Sequence, residues 1–173
     1  MTERTAYQGV GMAMQAFVLA LVMAAVVGSA LGFEHIGGYI PCALCLEQRT
    51  PYYIGIPVML AAAVTAILKA PPLITRTLLV AGGGLMLYGA GLGAYHAGIE
   101  WGWWEGPADC AGAAGLTTDA GSLLADLNAL TPPACNEAAL RVLGLSFAGW
   151  NVIASVILAA ACLRVAFARG RTG

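Results

Sequence analysis

Four apolar stretches, each long enough to cross a bilayer, constrain this chain more than any other feature. They run from Gly9 to Phe33, Tyr52 to Leu68, Thr77 to Tyr95 and Leu143 to Phe167, where a spanning helix takes about 17–25 residues. The second sits at the short end of that range, and Pro57 marks an expected kink within it. Composition agrees, with 60% of residues hydrophobic and 10% charged and a mean hydropathy of +0.79. A soluble domain cannot hide that much apolar surface. The expected fold is therefore a single all-α integral-membrane domain over residues 1–173, a bundle of four transmembrane helices. A net charge of −1 and the lack of any basic cluster point away from nucleic acid.

A cleaved secretory signal is the rival reading of the first stretch. Its uncharged run between Arg4 and Glu34 exceeds the about 7–15 residues of such a segment, so it is expected to stay as a span. Four spans place both termini and the short "KAPPLIT" connection on one side, with segments 34–51 and 96–142 on the other. Arg4, Lys69, Arg76, Arg164, Arg169 and Arg171 fall on the first side, against Arg49 and Arg141 on the second. Six cations against two make the first side cytoplasmic, giving an N-in, C-in topology. The "GGG" at Gly82–Gly84 and the Gly89-x-x-x-Gly93 pattern read as close helix packing in the third span.

On this topology Cys42, Cys45, Cys110 and Cys135 lie outside, while Cys162 is deep in the fourth span. Four cysteines facing an oxidising space suit two disulfides, with three connectivities open. The tight Cys42-Ala-Leu-Cys45 spacing favours a local pair, leaving Cys110 with Cys135. Cys162, among alanines and leucine, reads as a small core residue. A zinc site is disfavoured, because Cys110 and Cys135 are far apart and neither His35 nor His96 has knuckle spacing from a cysteine. Two inert structural disulfides are the other bland alternative.

Reactivity separates an inert pair from an active one. Two cysteines separated by two residues tend to be reachable, and one thiol often has a depressed pKa; the thiolate is the exchanging species. Arg49 stands four residues after Cys45, one turn away on the same face if the segment is helical. Its permanent charge would hold a thiolate or another anion beside it. Pro51 works against that helix, because it disfavours helical geometry at Thr50 and crowds the carbonyl of Glu47. An arginine snorkelling to lipid headgroups is the alternative reading, and it leaves the neighbouring cysteines unexplained.

Four spans, "PCALCLEQR" at the start of the second, and a second cysteine pair in the longer outer segment resemble the DsbB family. "AYHAG" closing the third span and "VLGLSFAGWN" opening the fourth are also similar to its pattern, so the likeness covers residues 12–165. The family consists of inner-membrane proteins that make disulfides and pass the electrons to quinone, either ubiquinone or menaquinone. The resemblance implies a multi-pass inner-membrane oxidoreductase with its active site on the periplasmic side. It implies that Cys42 and Cys45 face the quinone, with Cys45 as the thiolate and Arg49 beside a quinone oxygen. Cys110 and Cys135 would exchange with a periplasmic thioredoxin-fold dithiol oxidase of the DsbA type. In that relay the partner attacks Cys110, and Cys135 then attacks Cys42. His96 matches a histidine near the family's quinone site, with an interfacial histidine as the plainer reading.

Segment 96–142 departs from the best-known members. Trp101, Trp103 and Trp104 read as an aromatic belt at the membrane surface, or as walls of a quinone pocket. From Thr118, leucines 123, 124, 127 and 130 recur at helical spacing. That pattern predicts a short amphipathic helix on the periplasmic surface, ended by Pro132 and Pro133. Three other functions remain at this level. They are a vitamin K epoxide reductase-like quinone reductase, a relay bringing reducing power outward through Cys162, and a non-enzymatic tetraspan scaffold with structural disulfides.

Overall fold

A computed structural model of the protein describes residues 2–107 and 134–168. Its helices are α1 (Thr2–His35), α2 (Ala43–Glu47), α3 (Thr50–Ile67), α4 (Pro72–Glu100) and α5 (Phe147–Phe167), with a minimal hairpin of β1 (Arg141–Val142) and β2 (Leu145–Ser146) just before α5. Four segments are long and apolar enough to cross a membrane: Gly9–His35, Ala43–Ile67, Pro72–Glu100 and Phe147–Phe167. The protein is thus a multi-pass, mostly helical membrane protein. The amphipathic helix expected after Thr118 lies outside the described residues, as does Cys110.

Each spanning segment packs against its neighbour in sequence. Helix α1 lies along α3, α3 along α4 and α4 along α5, while α1 closes the ring against α5. With lipid as apolar as leucine, close backbone approach and polar contacts must hold such a bundle. Glycines of α4 supply the approach. A Cβ at Gly93 would lie 2.9 Å from Val152 Cγ2 and 3.2 Å from the Ala148 carbonyl, so α5 can sit this close only against a bare backbone. Gly82 receives Met59 and Gly83 receives Leu163 in the same way, whereas Gly84 faces open space. The core around Met23, Met59, Leu79, Met86 and Cys162 is fully enclosed.

Several element ends differ from the sequence expectation. The fourth helix starts at Phe147 rather than Leu143. Leu143 (φ 53°) and Gly144 (φ 84°) form a two-residue turn with both residues left-handed, which suits a tight hairpin, and Ser146 then caps the helix by accepting from the Gly149 N–H at 3.3 Å. The third helix continues to Glu100, so His96 is a helix residue and not the start of a loop. Pro51 resolves the question raised at the second span. It occupies the first turn of α3, where a missing N–H costs nothing. The helix divides at Gln48 and Arg49, with Arg49 N–H tightening onto the Leu46 carbonyl at 3.1 Å. Pro57 lies within α3, which runs unbroken through it.

Candidate active site

Helix α2 is only five residues long, and Cys42 is its cap. The Cys42 sulfur accepts from the Cys45 backbone N–H at 3.4 Å, and the two sulfurs stand 2.9 Å apart. Both are free thiols in this state, within a small shift of disulfide geometry. Cys42 is buried and Cys45 half-buried. The hydrogen bond from Cys45 holds the Cys42 thiol well below the ordinary thiol range, with a smaller contribution from His96, and outweighs the burial that opposes it.

Helix α4 brings His96 to this pair, its Nε2 3.7 Å from the Cys42 sulfur. Cys135, fully buried and disulfide-bonded, completes the cluster. The sulfurs of Cys42 and Cys135 and a His96 ring nitrogen lie within 4.8 Å of one another. The three residues are also of metal-ligating type, a convergence that sequence spacing did not anticipate. A sulfur tied in a disulfide is not the thiolate that zinc requires.

Beside the sulfurs lies a cavity of about 320 Å³, lined by polar and ionisable residues that include Cys42, Cys45, Gln48, Arg49, His96 and Glu100 and by the aromatic rings of Phe33, Tyr39, Phe147 and Trp150. Its size suits a small-molecule ring system. Phe33 and Phe147 pack with centroids 5.0 Å apart, and Tyr39 meets Phe147 edge-on at 6.4 Å. Arg49 shares this cavity with Cys45, as its position in sequence implied, but its guanidinium is paired with Glu34 at the end of α1. Trp101, Trp103 and Trp104 do not line it. All three are exposed, and Trp104 stacks on Tyr95 at 5.9 Å while its Nε1 donates to the Tyr95 carbonyl at 2.9 Å. His35 is exposed and, among the described residues, bonded only to its own helix.

A family model described as "Disulfide bond formation protein DsbB" matches residues 13–165. The chain belongs to the DsbB family. No curated protein and no solved structure matches significantly. Membership in the DsbB family carries disulfide-bond formation and disulfide oxidoreductase activity in the general sense, and the four spanning segments and the free cysteine pair accord with it.

Four polar residues of the DsbB site were not singled out by the sequence. Glu34 read there only as the charge ending an uncharged run, Gln48 only as a letter of "PCALCLEQR", and Glu100 was not read individually. Asn151 carried the clearest missed signal, since a polar amide inside a spanning segment is a functional candidate by default. Glu100 is the most unusual. Its Oε1 lies 3.8 Å from His96 Nε2, and its buried Oε2 has no hydrogen-bond partner among the described residues.

Proposed function

We propose that this protein reoxidises a periplasmic thioredoxin-fold dithiol oxidase of the DsbA type and passes the two electrons to membrane quinone. The observation that carries this reading is the approach of three sulfurs at the edge of an aromatic cavity. Cys135, already in a disulfide, lies within 4.8 Å of Cys42, and Cys42 is 2.9 Å from Cys45, which faces the cavity. A purely structural pair of disulfides gives no reason for two free thiols there.

In this reading the reduced partner attacks Cys110, forming a mixed disulfide and releasing Cys135 as a thiolate. The role of Cys110 comes from the family resemblance. Cys135 then attacks Cys42, so that the Cys42–Cys45 bond breaks and Cys45 leaves as a thiolate into the cavity. The partner's second thiolate displaces Cys110 and the partner departs oxidised. Cys110 then attacks Cys135, restoring the Cys110–Cys135 bond and releasing Cys42 as a thiol. Each exchange depends on access and on the leaving thiol's acidity. Arg49 carries a fixed positive charge at the cavity wall; Glu34 engages one part of its fork, and further N–H donors remain for a ligand oxygen. Phe33, Tyr39 and Phe147 line the cavity together with Arg49 and His96, and this set of aromatic, charged and hydrogen-bonding residues fits a quinone head group and would hold it. When bound, the quinone is the acceptor for the two electrons and two protons released as the Cys42 and Cys45 thiols close to a disulfide. The excess of Lys and Arg on the side of the termini supports an N-in, C-in topology, in which these groups face the periplasm.

The test is quinone reduction by the purified protein supplied with a reduced thioredoxin-fold oxidase. Turnover that disappears in Cys42→Ser and Cys110→Ser is the expected result. Quinone reduction that ignores both substitutions, or is absent with every such partner, overturns the proposal.

A further inference from the structure

A chain of side chains runs from α5 to the sulfurs, and its hydrogen-bond polarity is fixed at two points. Asn151 Nδ2 lies 3.3 Å from the Gly89 carbonyl and 2.8 Å from Gln48 Oε1. A carbonyl can only accept, so the amide nitrogen of Asn151 must take that side. Its Oδ1 is then left to accept from the Tyr52 hydroxyl at 2.8 Å. Gln48 is pinned in the same way, its Nε2 donating to the Leu44 carbonyl at 3.2 Å. Turning either amide over would set oxygen against oxygen at a backbone carbonyl and leave like groups facing each other between the two side chains.

The remaining N–H of Gln48 points at His96 Nδ1, 2.8 Å away. Nδ1 must therefore accept and carries no proton. A neutral imidazole holds one proton, which is consequently on Nε2. Nε2 faces the Cys42 sulfur at 3.7 Å and Glu100 Oε1 at 3.8 Å. Both can accept its proton.

We propose that Gln48 and Asn151 are positioning residues that hold His96 in its Nε2–H tautomer, so that the imidazole donates to the Cys42 sulfur and does not take its proton. The functional part of this inference rests on the exchange role given to Cys42 above; the tautomer itself does not. His96 then stabilises a thiolate on Cys42 without acting as its base.

Side-chain nitrogen NMR of the reduced, histidine-labelled protein tests this without quinone or partner, so its outcome is separate from that of the proposed activity. His35 and His96 are the two histidines, and a His35→Asn variant assigns the spectrum. The expected result is an Nε2–H imidazole for His96, with mixed tautomers in Gln48→Leu and Asn151→Ala. A wild-type His96 protonated on Nδ1, or on both nitrogens, overturns the proposal even if those variants do not fold. Alkylation of Cys42 followed by fragment mass mapping gives the second readout. Among the described residues, the titratable and charged groups around Cys42 are Cys45, His96 and Glu100, with Glu34, Tyr39, Arg49, Tyr52 and Glu137 in the same cavity. Loss of the aimed N–H moves the alkylation profile to higher pH, slowing the reaction about tenfold below neutrality. An unchanged profile together with an unchanged tautomer in Gln48→Leu also overturns it.

Discussion

Cys42 and Cys162 are both buried thiols, at opposite ends of the same bundle. Cys162 is fully enclosed, and its nearest polar contact is the thioether of Met59 at 3.9 Å. Cys42 is almost as enclosed but meets a second thiol, an imidazole and, through them, two amides. Burial by itself makes a thiol inert, and what turns one into a redox group is the set of donors delivered to it. The two ends also pack differently. The apolar end closes with pliable methionines, while the cysteine end closes with backbone and branched side chains against Gly93.

The largest test of this contrast is paired substitution. Cys42→Ser is expected to abolish thiol–disulfide exchange with a soluble dithiol partner, and Cys162→Ala to retain it with a stability loss under about 2 kcal/mol. A Cys162→Ala protein that folds but no longer exchanges would break the comparison. Next in size is Arg49→Ala, expected to lower quinone kcat/KM by about 10–100-fold, the worth of a charged hydrogen bond. Both disulfides should still form in it by mass mapping, and unchanged quinone kinetics would remove Arg49 from the site. Glycine substitutions sharpen the packing side. Gly93→Ala drives a Cβ onto Val152 and the Ala148 carbonyl and is expected to cost about 1–3 kcal/mol in denaturant titrations. Gly82→Ala meets only the mobile end of Met59 and should cost less; equal losses would mean that the two ends are equally rigid.

The pH dependence has a definite sign. Because Cys45 and His96 hold the Cys42 thiol below its ordinary range, Cys42 is expected to stay a thiolate, and alkylate, at pH values where a free cysteine has been protonated. Its rate should fall only as pH drops through that depressed value. The smallest effect concerns the connection between α3 and α4. Lys69 adopts φ 54° there, with Ala70 N–H bonded to the Thr65 carbonyl at 3.0 Å, the geometry of a helix end that favours glycine. Lys69→Gly should raise stability by about 1 kcal/mol.

What the sequence disclosed and what it hid divide by range. Four spans were legible because apolar runs are a local signal, and the Cys42–Cys45 pair because its spacing is local too. Span ends were less so. Leu143 belongs to an apolar run yet turns the hairpin, since Gly144 and Ser146 decide that corner rather than hydropathy. Arg49 was found from its distance in sequence to Cys45, but its ion pair with Glu34 comes from another helix. Asn151 and Gln48 meet across 103 positions, and nothing in the neighbourhood of either residue announces the other. The site's donors were visible only where they were close in sequence to the cysteines.

The amide of Asn151 reaches the Gly89 carbonyl on α4, Tyr52 on α3 and Gln48 at the junction of α2 and α3. In an apolar bundle an unmatched amide is costly, so sliding α5 by one helical turn, about 5.4 Å, would strand several polar groups at once. Ser155, one turn further along α5, adds a second polar tie to the Tyr52 hydroxyl at 2.9 Å. Asn151 thus works as the index mark that sets the register of the last helix. Evolution cannot retune the imidazole beside the sulfurs at this position without also loosening how the bundle is assembled.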